Sequence, residues 1–243
     1  MDAIASAEMT SIPTSDTEIV LSLRDVRKVF QIAGQPAVRA VDGVSLDIKR
    51  GEFTIITGRS GCGKTTLLNL ASGLLSPTSG QVRVLGHDIW RMSDRDQSAL
   101  RNRKIGFIFQ FPSVMPGLTV LENVLLPTAF GASTGGEDGR ERARQLLESV
   151  GLADKLDSLP RQLSKGQQQR VVVARSLVNR PEVLIADEPT SDLDEQTEQE
   201  IMALLRQVHV DTGVTILLVT HASELTRFGT RSIRMSEGKV VSA

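Results

Sequence analysis

A run of eight residues constrains the fold of this chain more than any other feature of its sequence. Residues 58–65 read GRSGCGKT, which matches the pattern G-x-x-x-x-G-K-[ST] at every fixed position. The apolar run at 53–57 before it predicts a buried strand, and the residues at 65–72 are typical of a helix. A strand, a glycine-rich loop and a helix in this order predict a phosphate-binding loop, because backbone N–H groups and the helix N-terminus then point at phosphate oxygens.

The polar side chains of this loop and of a second segment have the chemistry that nucleotide hydrolysis needs. Lys64 is expected to bridge the outer phosphates, and the Thr65 hydroxyl is expected to ligate Mg²⁺. Asp187 and Glu188 follow the apolar strand VLIA at 183–186. Asp187 is expected to reach Mg²⁺ through its water shell, while Glu188 orients and polarises the attacking water. A strand that ends in two solvated acids is common on its own, but beside the phosphate loop the pair predicts hydrolysis.

Composition excludes several classes of function. The 243 residues carry 28 basic and 29 acidic side chains, for a net charge of -1, which disfavours a basic nucleic-acid-binding surface. Seven Phe, one Trp and no Tyr offer few platforms for stacking bases. The single cysteine, Cys62, excludes an internal disulfide and a CxxC metal site. We therefore expect no nucleic-acid partner.

The N-terminal 17 residues are rich in small residues and carry an acid at position 2. They lack the basic and apolar regions of a secretory signal, and we expect a disordered leader at 1–17. The longest apolar runs are far shorter than the roughly 18 residues that cross a bilayer as a helix. These features predict a cytoplasmic chain with one domain at 18–243.

Hydrophobic periodicity predicts the fold class. Alternating apolar residues at 18–24 and 44–48 predict two antiparallel strands. Later strands are predicted at 105–110, 183–186 and 215–220, and helices at 98–104, 164–179 and 193–209. This alternation indicates an α/β fold with a phosphate-loop (RecA-like), mostly parallel sheet and an N-terminal antiparallel β subdomain. Helical spacing of Ala143, Leu146, Leu147 and Val150 adds an inserted α-helical subdomain at about 95–180.

Further motifs resemble those of one family. Residues 163–170 read LSKGQQQR and resemble LSGGQ, the signature motif that distinguishes the ATP-binding cassette family from other phosphate-loop proteins. Gln110 after the strand IGFIF resembles the Q-loop, SDLD at 191–194 the D-loop, and His221 after TILLV the switch histidine. The resemblance covers residues 18–241 and implies an ATPase with ATP and Mg²⁺ as cofactors.

The resemblance also implies a set of site residues. The catalytic residues are Lys64, Gln110, Glu188 and His221, and the magnesium ligands are Thr65, Gln110 and Asp187. The residues expected to hold ATP are Phe30, Gly58, Ser60, Gly61, Cys62, Gly63, Lys64, Thr65 and Thr66, together with Ser164, Gly166 and Gln167 of the signature. Phe30 resembles the aromatic residue that stacks on adenine, but a core position is an open alternative because Val29 competes for the inward face.

The signature begins with a helix cap. Ser164 and Gln167 have the spacing of a Ser-x-x-Gln capping box, which directs the dipole and N–H groups of the following helix outward. In the family this helix end faces the γ-phosphate bound to the other subunit, so the resemblance implies a homodimer of cassettes that sandwiches two ATP molecules. Lys165 departs from the usual glycine, whereas Gly166, which must approach the phosphate closely, is retained.

The segment after the Q-loop indicates a subfamily. IGFIFQ followed by MPGLTVLENVLLP resembles the MacB and LolD cassettes, which drive separate permeases by mechanotransmission or extract lipoproteins. The resemblance implies an FtsX/MacB-like transmembrane permease partner and a peripheral position on the inner face of the cell membrane. The apolar residues Phe111, Pro112, Val114, Met115 and Pro116 either line a groove for a permease coupling helix or fill the subdomain core.

Two other functions remain as alternatives. A soluble cassette that acts on ribosomes or DNA is disfavoured, because the chain has one phosphate loop and no sustained heptads. A regulatory cassette that binds ATP without transport is disfavoured by the intact Lys64, Asp187, Glu188 and His221.

Overall fold

The computed structural model describes residues 18–31, 33–34, 36–130 and 137–242. The predicted leader at 1–17 lies outside the described residues. The strands are β1 (Ile19–Phe30), β2 (Val38–Lys49), β3 (Phe53–Thr57), β4 (Ser79–Val84), β5 (His87–Asp88), β6 (Ile105–Ile108), β7 (Val183–Asp187), β8 (Thr215–Thr220), β9 (Arg231–Ser236) and β10 (Lys239–Ser242). The α-helices are α1 (Lys64–Ala71), α2 (Asp94–Lys104), α3 (Val120–Leu125), α4 (Glu137–Ser149), α5 (Lys165–Leu177) and α6 (Glu195–Thr212).

An antiparallel sheet contains the first strands of the chain. Its strand order is β2-β1-β4-β5, and β1 pairs with β2 in a register that places Leu23 opposite Leu46. Both side chains are buried. Alternate residues of a strand point to the same face, so the alternating apolar residues of β1 and β2 share the buried face of this sheet. The two antiparallel strands predicted from the sequence are confirmed, although each extends over 12 residues.

A second sheet of six strands has the order β10-β9-β3-β8-β7-β6. Neighbouring strands from β9 to β6 run parallel, and only β10 pairs antiparallel. The predicted α/β class with a mostly parallel sheet is therefore confirmed. The sequence analysis missed β9 and β10, and it extended β6 to residue 110, whereas the strand ends at Ile108.

Three apolar clusters hold these layers together. The first joins the antiparallel sheet, α1 and one face of the parallel sheet, and the second fills the opposite face under α5 and α6. The third lies among α3, α4 and α5. The range of about 95–180 predicted for the helical subdomain includes β6, which pairs with β7 in the six-stranded sheet. No helix in the described part of the chain has the length and apolar character to cross a membrane.

The parallel pairing brings the predicted site to one edge. The carboxyl ends of β3, β6, β7 and β8 lie at this edge, and each is followed by polar residues that the sequence analysis selected. Ligands of open α/β sheets bind at this edge, because the loops there face a crevice outside the sheet.

Candidate active site

The loop at 58–63 connects β3 to α1 and leaves the start of that helix open. Gly63 occupies the N-cap position with φ 102°, so no side chain caps the first N–H groups of α1. A Cβ atom at Gly63 would overlap the backbone oxygen of Ala40. Glycine is therefore required at this position, and the uncapped N–H groups remain available to an anion.

Lys64 places a buried charge at the loop. Its side chain is 4% exposed and lies 3.5 Å from Glu188 Oε1. Its Nζ donates hydrogen bonds to the backbone oxygens of Gly58 (2.9 Å) and Arg59 (3.2 Å). A buried ammonium group requires such partners, because removing a charge from water is costly. The lysine is thus held at the loop by the loop itself and by the carboxylate at the end of β7.

Asp187 and Thr65 meet across the sheet edge. Thr65 Oγ1 donates a hydrogen bond of 3.0 Å to Asp187 Oδ1. Burial raises the pKa of Asp187 and the charge of Glu188 raises it further, while the Thr65 hydrogen bond and the charge of Lys64 oppose the shift. These neighbours therefore do not fully compensate the charge of the ionised Asp187 carboxylate, and a nearby cation would stabilise it.

Glu188 bridges two other predicted residues. Its carboxylate is 17% exposed and contacts Lys64 through one oxygen, and the other oxygen lies 2.8 Å from His221 Nδ1. An ionised carboxylate can only accept, so the Nδ1–H of His221 donates this bond. Glu188 also adopts φ 42°, a left-handed conformation that costs of the order of 1–3 kcal/mol for a non-glycine residue and is concentrated at functional sites.

A cavity of about 410 Å³ opens over the loop. Its lining residues are Val38, Arg39, Ala40, residues 60–66, Gln110, Glu188, Glu237 and Gly238. The structure thus brings Gln110 and Glu188 to the phosphate loop, where they line one cavity with the predicted residues 60–66 of the same chain. His221 lines an adjacent cavity with Gly58 and Arg59.

Phe30 is not among the residues that line the cavity over the loop. It lies exposed at the end of β1, with Lys28 Nζ 5.3 Å from its ring centroid. The core alternative for Phe30 is therefore wrong, and its role in stacking on adenine stays a prediction.

The sequence analysis missed two parts of this cavity. One is the start of β2 at Val38, Arg39 and Ala40, and the other is the turn between β9 and β10 at Glu237 and Gly238. The Glu-Gly pair is a turn signal, but nothing in the local sequence indicates that this turn reaches the loop.

The signature residues form their predicted cap away from this cavity. Gln167 N donates to Ser164 Oγ (3.2 Å), and Ser164 N donates to Gln167 Oε1 (2.9 Å), which confirms the capping box. Ser164, Gly166 and Gln167 are not among the lining residues of the cavity over the loop. Lys165 is exposed at the first position of α5. Within one described chain, the structure does not bring the signature to the phosphate loop.

Comparison with known proteins identifies the family. The family model described as ABC transporter matches residues 41–191. The chain is 45% identical over 221 residues to an ABC transporter ATP-binding protein of Thermotoga maritima, covering 91% of this chain and 93% of that protein. The chain belongs to the ABC transporter family. Its members with this cassette are ATP-binding, ATP-hydrolysing transporter subunits, and this chain is such an ATPase.

Other relatives of this ABC cassette differ in length. The LolD lipoprotein-releasing ATP-binding protein of Geobacter metallireducens is 41% identical over 91% of this chain and 98% of its own length. The MacB macrolide export ATP-binding/permease protein of Syntrophobacter fumaroxidans is also 41% identical over 91% of this chain, but the chain spans only 31% of that protein.

A solved structure matches the whole fold of the cassette. It is the dimeric post-hydrolysis state of an ATP-binding cassette bound to ADP and phosphate. The TM-score is 0.82 at 40% identity, with 91% of this chain and 96% of that chain covered.

Proposed function

We propose that this chain is the MgATP-driven motor of a transporter, and that it works as a homodimer with a separate transmembrane permease. One observation carries the proposal. Lys64, Asp187 and Glu188 converge at the phosphate loop, whereas the capped signature helix of the same chain does not line that cavity. A second copy is needed to complete each ATP site.

The residues at the loop fit a bound magnesium ion. Mg²⁺ prefers oxygen ligands and usually takes one or two carboxylates together with substrate phosphates. Thr65 and Asp187 present two oxygens 3.0 Å apart, and Gln110 adds an amide at the rim of the same cavity. We therefore propose these three as the residues that hold it. When bound, Mg²⁺ neutralises charge that develops on the phosphates during transfer.

Lys64, Glu188 and His221 have separate roles in hydrolysis. Lys64 and the uncapped N–H groups of α1 hold the phosphates of ATP, with the other lining residues at 60–66. Glu188 orients and polarises the attacking water. His221 fixes the carboxylate of Glu188 through the 2.8 Å hydrogen bond. Because Glu188 Oε1 lies 3.5 Å from Lys64 Nζ, we expect ATP to compete with this carboxylate for the ammonium group.

The dimer supplies the remaining contacts. Ser164, Gly166 and Gln167 present the start of α5, whose N–H groups and dipole favour an anion. We propose that this end binds the γ-phosphate of ATP on the partner subunit in a head-to-tail arrangement. The dimeric state of the solved relative supports this arrangement.

The permease is proposed to dock on an apolar groove beside Gln110. A cavity of about 510 Å³ there is lined by Phe107, Phe109, Leu126 and Phe130, among others. Phe111 is 64% exposed and Met115 is half exposed, while Val114 packs against the second and third apolar clusters. None of the apolar residues predicted at 111–116 is among the lining residues of this cavity, although Ser113 is. We propose that the cavity, together with the exposed Phe111 and Met115 next to it in the chain, receives a coupling helix of an FtsX/MacB-like permease. We propose that the chain accordingly lies peripherally on the cytoplasmic face of the membrane.

Substitution of Glu188 tests the motor and the dimer together. Glu188→Gln should retain ATP binding, lose turnover by about a thousandfold, and accumulate a dimer in MgATP, because the closed site can no longer hydrolyse its ligand. Gel filtration with light scattering measures the dimer, and phosphate release measures turnover. Glu224→Gln changes an exposed carboxylate near His221 and serves as the matched control.

Two results contradict the proposal. A Glu188→Gln protein that stays monomeric in saturating MgATP removes the support for the ATP sandwich. Turnover that persists at the rate of the Glu224→Gln control shows that Glu188 does not act on the water.

A further inference from the structure

The signature glycine contacts a threonine of its own chain. Gly166 lies in the first turn of α5, and its φ is not in the left-handed region. Its backbone conformation would therefore accept alanine, which is a better helix former than glycine. A Cβ atom built at Gly166, however, would lie 2.6 Å from Cγ2 of Thr197, which is shorter than any normal contact.

Thr197 cannot readily turn its methyl group away. Its Oγ1 donates a hydrogen bond of 2.7 Å to Asp194 Oδ2, and its backbone N donates to Asp194 Oδ1 at 3.0 Å. Threonine is also stiff at χ1 because both branches start at Cβ. Asp194, the last residue of the D-loop and the N-cap of α6, thus fixes the position of the methyl group that faces Gly166.

A second contact joins the same helix faces one turn further on. Arg170 Nη2 donates to Glu200 Oε2 at 2.9 Å. Gly166 and Arg170 are four residues apart on α5, and Thr197 and Glu200 are three apart on α6, so each pair lies on one helix face. The first turns of α5 and α6 are therefore held together at two successive positions.

We propose that Thr197 is a positioning residue that links the D-loop to the signature within one chain. Asp194 orients Thr197, and the Thr197 methyl group sets the position of Gly166 and therefore of the N-terminus of α5. This contact inside the chain is what requires glycine at position 166, because a Cβ atom there points at Thr197. The role in turnover rests on the proposed function of the signature, whereas the contact itself does not.

The experiment introduces the missing methyl group and then removes its obstacle. Gly166→Ala should reduce turnover by about tenfold or more, while binding of a fluorescent ATP analogue to the monomer is unchanged. Thr197→Ser deletes only the obstructing methyl group and keeps the hydroxyl. The double variant Gly166→Ala/Thr197→Ser should recover to within about threefold of Thr197→Ser alone. Gly166→Ala/Thr197→Val keeps the methyl group and should stay impaired, which makes it the matched control.

Two further readouts separate this inference from the proposed function. In the Glu188→Gln background, Gly166→Ala should prevent the ATP-dependent dimer and Thr197→Ser should restore it. Thermal unfolding of the nucleotide-free single and double variants measures the contact without any dimer. If Gly166→Ala lowers the unfolding midpoint and Thr197→Ser restores it, the contact is supported even when Glu188→Gln alone forms no dimer. The missing dimer would then contradict only the proposed function.

The inference is overturned by either of two results. One is a Gly166→Ala protein with wild-type turnover and unfolding. The other is a double variant with serine that is as impaired as the one with valine, because the alanine methyl group would then interfere with something other than Thr197.

Discussion

At the scale of single residues, Asp187 shows that a site residue can oppose folding stability. Burial and the neighbouring charge of Glu188 raise its pKa above the value of an unfolded chain. A carboxyl with a raised pKa binds its proton more tightly in the folded state, so ionisation lowers the free energy of unfolding. This cost is present above the folded pKa and disappears as the pH falls below the unfolded value.

Replacement of this carboxylate should therefore stabilise the nucleotide-free protein. Asp187→Asn is expected to raise the thermal unfolding midpoint at neutral pH and to abolish hydrolysis. The gain should shrink as the pH falls through the raised pKa of Asp187, where the wild-type carboxylate takes up its own proton, and should vanish below the unfolded value of about 4. Scanning calorimetry at a series of pH values measures it, with Asp157→Asn at an exposed position as control. A gain that is independent of pH, or a loss at neutral pH, contradicts this account.

At the scale of elements, the hairpin of β9 and β10 supports the phosphate loop. Gly238 N donates to the backbone oxygen of Cys62 (3.0 Å), and Asp42 N donates to the oxygen of Gly238 (2.9 Å). Gly238 has φ 76°, and a Cβ atom there would lie 3.1 Å from the oxygen of Ala40. The turn thus connects the start of β2 with the loop through one residue.

A side chain in this turn should weaken nucleotide binding. Gly238→Ala is expected to reduce ATP affinity by about fivefold to tenfold, because left-handed strain of about 1–2 kcal/mol shifts the turn and the Cys62 carbonyl with it. Gly213→Ala carries a similar φ of 68° in open space at the end of α6. This control should lose stability without losing affinity in a titration with fluorescent ATP. Equal affinities for the two variants would show that the hairpin does not position the loop.

At the scale of the whole molecule, the exposed apolar groove is the surface proposed to meet the membrane protein. Phe130 is 78% exposed at its edge, and Val210 on α6 is similarly exposed, at 63%, but lies outside this groove. Phe130→Ser should reduce the amount of the chain that sediments with membranes containing the permease, whereas Val210→Ser should not. Loss of about 1.5–3 kcal/mol of apolar burial predicts roughly tenfold weaker binding or more. Binding that is the same for both variants, or equal on protein-free lipid vesicles, contradicts the groove as the docking site.

The sequence by itself determined the fold class and most of the residues at the loop. Phe53–Thr57 and Thr215–Thr220 were predicted with the bounds that the structure gives, since fully buried parallel strands are short continuous apolar runs. The phosphate loop at 58–65 and the capping box of α5 were also predicted from the sequence. Both depend on residues within a few positions of each other, as the Ser164–Gln167 hydrogen bonds do.

Only the tertiary structure decided how distant residues meet. The turn at Gly238 contacts Cys62, and Thr197 faces Gly166. Both contacts join residues far apart in the sequence, so no local sequence pattern predicts them. The exposure of Phe30 and Phe111 likewise depends on which elements cover them, since an apolar residue can lie inside or outside a fold. Local hydrogen bonds and hydrophobic periodicity depend on residues that are close in the sequence. Contacts between elements depend instead on how the packed layers bring separate parts of the chain together.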